Sequence, residues 1–209
     1  MSRTMLTVLV IVLGTVGFGA TIAYDLLQLK HTKRFLPLVA IIGAIGVAFS
    51  TFALYLLVPV PNQPTIFSVA CIVLAIVSFL LLVWSVVFEI PFLLRRGSSG
   101  APPEGAEPGR RVPDLAESRP RRVLDRGTYS LTRHPGLLWY FSLVLFSALL
   151  FRHPIVIALG AYLFALDLVV VLMEDFVIFP RLFMDYERYK NEVPMLIPRF
   201  AGRRRSKES

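Results

Sequence analysis

The sequence predicts an all-α integral membrane protein of about five spanning helices, with soluble parts too small to form a domain of their own. Three observations carry that prediction. Apolar residues make up 56% of the chain and charged residues 17%, more apolar surface than 209 residues can hide in one soluble interior. The apolar residues fall in uninterrupted runs near the roughly 20 residues that cross hydrocarbon at about 1.5 Å per residue. Lys and Arg gather in alternate connections between those runs.

The first run is Met5 to Ala23. Only Arg3 precedes it as a basic residue, and Tyr24-Asp25 is a poor small-residue cleavage site, so it reads as a spanning helix rather than a signal peptide. Lys30-His31-Thr32-Lys33-Arg34 is a basic loop. Phe35 to Val58 forms the second run, with Gly43 and Gly46 as points of close helix packing. Pro59, Pro61 and Pro64 then end helical structure in a loop without charge. Ile66 to Leu94 is the third run, with a bend expected near Pro91.

Composition changes at Arg95. Residues 95–122 are rich in Arg, Pro, Gly, Ser and Glu and cannot bury enough surface to offset ordering entropy, so a mobile basic loop is expected. The fourth run is Leu137 to Phe151, the break is Arg152-His153-Pro154, and the fifth run is Ile155 to Phe179. So short a break makes the last two runs an antiparallel hairpin. Leu182 to Pro198 mixes polar and apolar residues and reads as helix at the membrane interface, and residues 201–209 as a disordered basic tail. The organisation is therefore 1–94 for three helices, 95–122 for the loop, 123–200 for a C-terminal module and 201–209 for the tail.

Orientation follows from the cations. The first loop, the loop at 95–122 and the C-terminus are rich in Lys and Arg, whereas the loop at Pro59 to Pro64 has none and the hairpin break has one Arg. Five spans put the three basic segments on one side, which the positive-inside rule makes cytoplasmic, with the N-terminus outside. The net charge of +8 is thus accounted for by topology and anionic headgroups. No aromatic and basic platform accompanies it, so nucleic acid is not expected as a partner, nor is a metal. Cys71, the single cysteine, can form no intrachain disulfide.

From Gly127 onward, ionisable residues stand at membrane depth or at its edge, where they are functional candidates by default. Arg133-His134-Pro135-Gly136 opens the fourth run; the bland reading is a proline at a helix start with snorkelling anchors beside it. Asp167 and Glu174 are two turns apart on one face of the fifth run, with Asp175 adjacent. A hydrogen-bonded or interfacial acid is the bland reading there. Tyr186 to Pro194 reads as an interfacial helix with Tyr186 and Tyr189 as belt residues, and Glu89, Trp139 and Tyr140 read as interfacial.

Taken in order, Gly127-x-Tyr129, Arg133-His134-Pro135, the hairpin, Glu174-Asp175, Tyr186-x-x-Tyr189, Val193-Pro194 and Ile197-Pro198 resemble the C-terminal module of the isoprenylcysteine carboxyl methyltransferase family, which the phospholipid N-methyltransferases share. The resemblance covers roughly residues 123–200. It implies an integral-membrane methyltransferase using S-adenosyl-L-methionine near the cytosolic face. It implies cofactor contacts from Arg133, His134, Pro135, Gly136, Glu174, Asp175, Tyr186 and Tyr189. The chain departs from the family where Gly136-Leu137-Leu138 follow the Arg-His-Pro: the family's Tyr and Gly are missing. Phe183-Met184-Asp185 replaces its Phe-Gly.

The resemblance implies a lipid-soluble acceptor reached from the bilayer. Methyl transfer is helped mainly by positioning. Glu174 can meet the cofactor's ammonium, and Arg133 or His134 its carboxylate. A carboxylate acceptor, such as a prenylcysteine, needs a cation such as Arg181 to orient it. A lipid amine needs a base, for which Glu174 and Asp175 are at hand. Two other readings stand beside this one: an NADPH-dependent sterol-reductase-like enzyme, and a catalytically inactive membrane scaffold. A transporter would show paired halves, and no such repeat is present.

Overall fold

The computed structural model describes residues 2–29, 36–59, 65–85, 127–183 and 186–197. The loop from Lys30 to Arg34, Glu89 and Pro91, the loop at 95–122 and the tail at 201–209 lie outside the described residues. The described residues are all-α. The helices are α1 (Arg3–Leu29), α2 (Leu36–Leu57), α3 (Ile66–Val83), α4 (Pro135–Phe151), α5 (Pro154–Leu182) and the short α6 (Tyr186–Glu192). A single 3-10 turn, Gly127–Ser130, precedes α4.

Four of these, α1, α2, α3 and α5, are long and apolar enough to cross a membrane. The fifth expected span is α4, apolar but of 17 residues. At about 1.5 Å per residue it is some 25 Å long, a little short of typical hydrocarbon thickness. Large apolar side chains such as Phe49, Phe52, Leu80 and Phe176 stand exposed along the bundle. An apolar exterior of this kind is compatible with lipid as solvent.

The helix ends follow their local chemistry. Thr65 and Ser68 close a capping box at the start of α3. Pro135 and Pro154 occupy the first turns of α4 and α5, where no N–H is required. Between those two helices Arg152 takes a left-handed conformation with φ of 47°, and His153 caps α5 by accepting the N–H of Ile155. That is how two residues reverse the chain.

Pairwise contacts show how the helices alternate. Gly17 of α1 meets Gly46 of α2 backbone to backbone; a Cβ on Gly17 would lie 2.6 Å from the Val47 nitrogen. Tyr55 and Thr51 of α2 hydrogen-bond Ser147 at 2.6 Å and Tyr140 at 3.0 Å in α4, so those two helices run parallel. Thr15 of α1 and Tyr162 of α5 hydrogen-bond at 2.7 Å. The start of α3 meets the end of α4, where the Arg152 guanidinium lies 4.6 Å from the centre of the Phe67 ring.

Tyr140 corrects one expectation. It is not a belt residue: it is 3% exposed, inside the main core with Phe18, Leu54 and Leu163. Its hydroxyl has Thr51 as partner, so burial leaves it paired. Hydroxyls on α1 and α2 thus serve as interhelical contacts, which their apolar neighbours conceal in the sequence.

Candidate functional site at the open end of the hairpin

The fifth helix does not run as a uniform α-helix. After Met173 it widens into a π turn over Glu174–Ile178, where the Phe179 N–H reaches the Glu174 carbonyl, and then resumes. Single π turns inside helices are common at functional sites. This one contains the two acidic residues that the sequence singled out.

Asp175 is fully buried at the centre of a polar cluster. One of its oxygens, Oδ1, accepts from Arg133 Nη1 at 2.6 Å and from the Tyr186 hydroxyl at 2.5 Å, and lies 3.3 Å from His134 Nε2. The Lys190 ammonium is 3.9 Å from the other oxygen, Oδ2, and lies over the Phe176 ring. On its opposite edge, His134 Nδ1 is 3.5 Å from Glu174 Oε2. The imidazole therefore stands between two consecutive carboxylates. Neighbouring side chains on a helix diverge by about 100°, and a ring with nitrogens on two edges can meet both.

A stack of aromatic rings holds that imidazole. Phe179, one turn after Asp175, lies face to face with His134 at 5.8 Å and 7°. Tyr186 and Phe183 pack edge-on against Phe179, and Tyr189 and Val193 complete the cluster. Tyr186 of α6 thus serves both the apolar cover and the hydrogen bond to Asp175.

The C-terminal segment is tied down by backbone bonds. The N–H groups of Arg133 and His134 donate to the carbonyls of Pro194 and Met195, and Thr132 Oγ1 donates to Met195 at 2.6 Å. Tyr189 donates to the Tyr129 carbonyl at 2.6 Å, in the turn that Gly127 opens with a φ of 64°. Pro194 to Ile197 line an open depression of about 500 Å³ beside this strap. Among the described residues, the interfacial helix expected over Leu182 to Pro198 is only α6, and an irregular strap follows it.

Two protonation equilibria outside the spanning helices are displaced. Burial acts to lower the His134 pKa, but the hydrogen bonds and charges of Asp175 and Glu174 outweigh it and raise the value above 6.5. Burial and the Asp175 carboxylate raise the Tyr186 pKa far above its ordinary range, so its hydroxyl stays a donor.

Of the residues named from sequence, Arg133, His134, Glu174, Asp175 and Tyr186 meet in one cluster, and Tyr189 adjoins it. Pro135 is buried at the helix start, and Gly136 is half-buried in the turn beside it. Arg181 is exposed on the last turn of α5, without an ion pair among the described residues. Asp167 is half-buried deeper on α5.

Asp25 was not singled out. It lies near the end of α1, 8% exposed, and α1 packs against the π turn that brings Glu174 beside it. A signal was available: Asp25 is eleven residues after Gly14, three helical turns, and so shares the face that carries Gly14 and Gly17. Two atoms within the cluster are buried without a hydrogen-bond partner, Arg133 Nε and Asp175 Oδ2. No protein-family model, curated protein or solved structure matches the chain.

Proposed function

We propose that the protein is a membrane methyltransferase that takes S-adenosyl-L-methionine at the open end of the α4–α5 hairpin and methylates a lipid-soluble acceptor. One observation carries the reading. The residues that the family resemblance assigns to the cofactor, drawn from 133–134, 174–175 and 186, converge on a single buried cluster.

The unused atoms fit the cofactor's amino-acid end. Arg133 Nε is a donor and Asp175 Oδ2 an acceptor, each buried without a hydrogen bond, and Oδ2 has only the Lys190 ammonium at 3.9 Å. A ligand bringing one carboxylate and one ammonium engages both kinds of group. Glu174, whose side chain is 20% exposed, is the acid most open to that ammonium. Asp175 acts by holding Arg133, His134 and Tyr186 in place. The cofactor, when bound, supplies a methyl group on a sulfonium; the chain's task is to orient it and to exclude water. On the positive-inside rule the site faces the cytosol, because the connections that follow α1 and α3 and the C-terminus are rich in Lys and Arg in the sequence.

Thermal unfolding of the full chain in detergent tests this. Saturating S-adenosyl-L-methionine is expected to raise the melting temperature, since a ligand of the folded state at a hundred times its Kd contributes about 2.7 kcal/mol. Glu174→Gln and His134→Ala are expected to lose that shift while remaining folded, and Asp167→Asn to keep it. A shift with NADPH alone favours the reductase reading. Absence of any wild-type shift favours an inactive scaffold, with Leu137 and Leu138 as the departures responsible. Labelled cofactor incubated with lipid extract then identifies the acceptor.

A further inference from the structure

The C-terminal module does not hold Glu174 by itself. Its carboxyl is approached from the hairpin side by His134 Nδ1 at 3.5 Å, and α1, which carries Asp25, packs against the π turn that Glu174 opens. Asp25 is distant from the module in sequence, in the first helix of the chain, and is buried there. Two carboxyl groups form a hydrogen bond only with a hydrogen between them, and a buried acid is retained only where it is paired. The contact is fixed by rigid packing. The same face of α1 carries Gly17 against the α2 backbone and Gly14 against Leu163 of α5. Closer to the start of both helices, Thr15 and Tyr162 hydrogen-bond at 2.7 Å, which sets the two in parallel register. Ten residues along α1 and twelve along α5, Asp25 and Glu174 come level.

We propose that Asp25 is a positioning residue of the site: through a hydrogen bond between the two carboxyls it holds the Glu174 carboxylate at the orientation in which it meets the cofactor's ammonium. The inference rests on the methyltransferase reading and extends it. The N-terminal helices are then part of the site's geometry, and the C-terminal module alone leaves Glu174 supported from one side only. Asp25 does not touch the cofactor; it acts through Glu174.

The test compares Asp25→Ala, Asp25→Asn and a packing control, Val10→Ala, in the full-length protein. Val10 is fully buried on the same helix, away from the cluster. Asp25→Ala is expected to weaken S-adenosyl-L-methionine binding about tenfold, or about 1.4 kcal/mol. Asp25→Asn keeps a donor for the Glu174 carboxylate and is expected to restore affinity to within about twofold of wild type. Val10→Ala is expected to lower ligand-free stability and leave affinity unchanged. Wild-type affinity in Asp25→Ala, or equal weakening in Asp25→Ala and Asp25→Asn, overturns the proposal. A ligand-free stability cycle of Asp25→Ala with Glu174→Gln separates this from failure of the methyltransferase reading. If the wild type binds no cofactor, that reading falls and the role in binding falls with it. Non-additive stabilities then still support Asp25 as the residue that positions Glu174, and additive ones overturn that as well.

Discussion

Arg133 and Asp175, 42 residues apart in the chain, meet at 2.6 Å inside the protein, with 9% and 1% of their side chains exposed. One lies just before α4 and the other in the π turn of α5, so the pair ties the two ends of the hairpin together. Removing one partner of a buried ion pair leaves the other charge without compensation.

Asp175→Ala is therefore expected to destabilise the protein by about 3–5 kcal/mol, the range for breaking buried pairs. Glu174→Gln, at a partly exposed position, is expected to cost much less. Unfolding in detergent with added denaturant, compared across the two variants, checks the order. Equal losses would mean that Asp175 is not the centre of the cluster.

His134 makes stability depend on pH. Its folded pKa is raised above 6.5 by Asp175 and Glu174 against the opposing effect of burial. A raised pKa means that the folded state favours the imidazolium. The contribution is complete below about 6.5 and is lost as pH rises through the raised value. The melting temperature of the wild type is expected to fall toward that of His134→Gln as pH increases from mildly acid to alkaline. Parallel curves for the two proteins would remove His134 from the ion-pair cluster.

Gly17 has no room for a side chain. Its Cβ would meet the Val47 nitrogen at 2.6 Å and the Gly46 backbone at 2.8 Å, and backbone cannot rotate away as a side chain does. Gly17→Ala is expected to destabilise by about 1–3 kcal/mol, the usual range for overpacking. Gly19, with open space beside it, is the matched control, and Gly19→Ala is expected to be neutral or mildly stabilising.

Sidedness is tested with fused reporters. One placed after Ser209 and one within residues 95–122 are expected in the cytoplasm, and one near Asn62 on the other side. A reporter near Asn62 on the same side as the loop at 95–122 would overturn the five-span arrangement.

The sequence by itself determined the helices, because the length of an apolar run and the prolines that end it are local properties. It also determined the hairpin, since three residues between Phe151 and Ile155 leave no other arrangement, and it singled out Arg133, His134, Glu174 and Asp175 as candidates. Tertiary structure decided how those candidates meet. The π turn at Glu174, the division of His134 between two carboxylates and the approach of Asp25 all depend on how far each helix is rotated and how deep it sits. Both are set by contacts between distant segments, Gly17 on Gly46 and Thr15 on Tyr162. A run of apolar residues reads almost the same at any rotation in lipid, so Tyr140 passed for an interfacial residue and Asp25 for the edge of a featureless helix. Only packing one helix against another distinguishes a face turned to lipid from a face turned to the site.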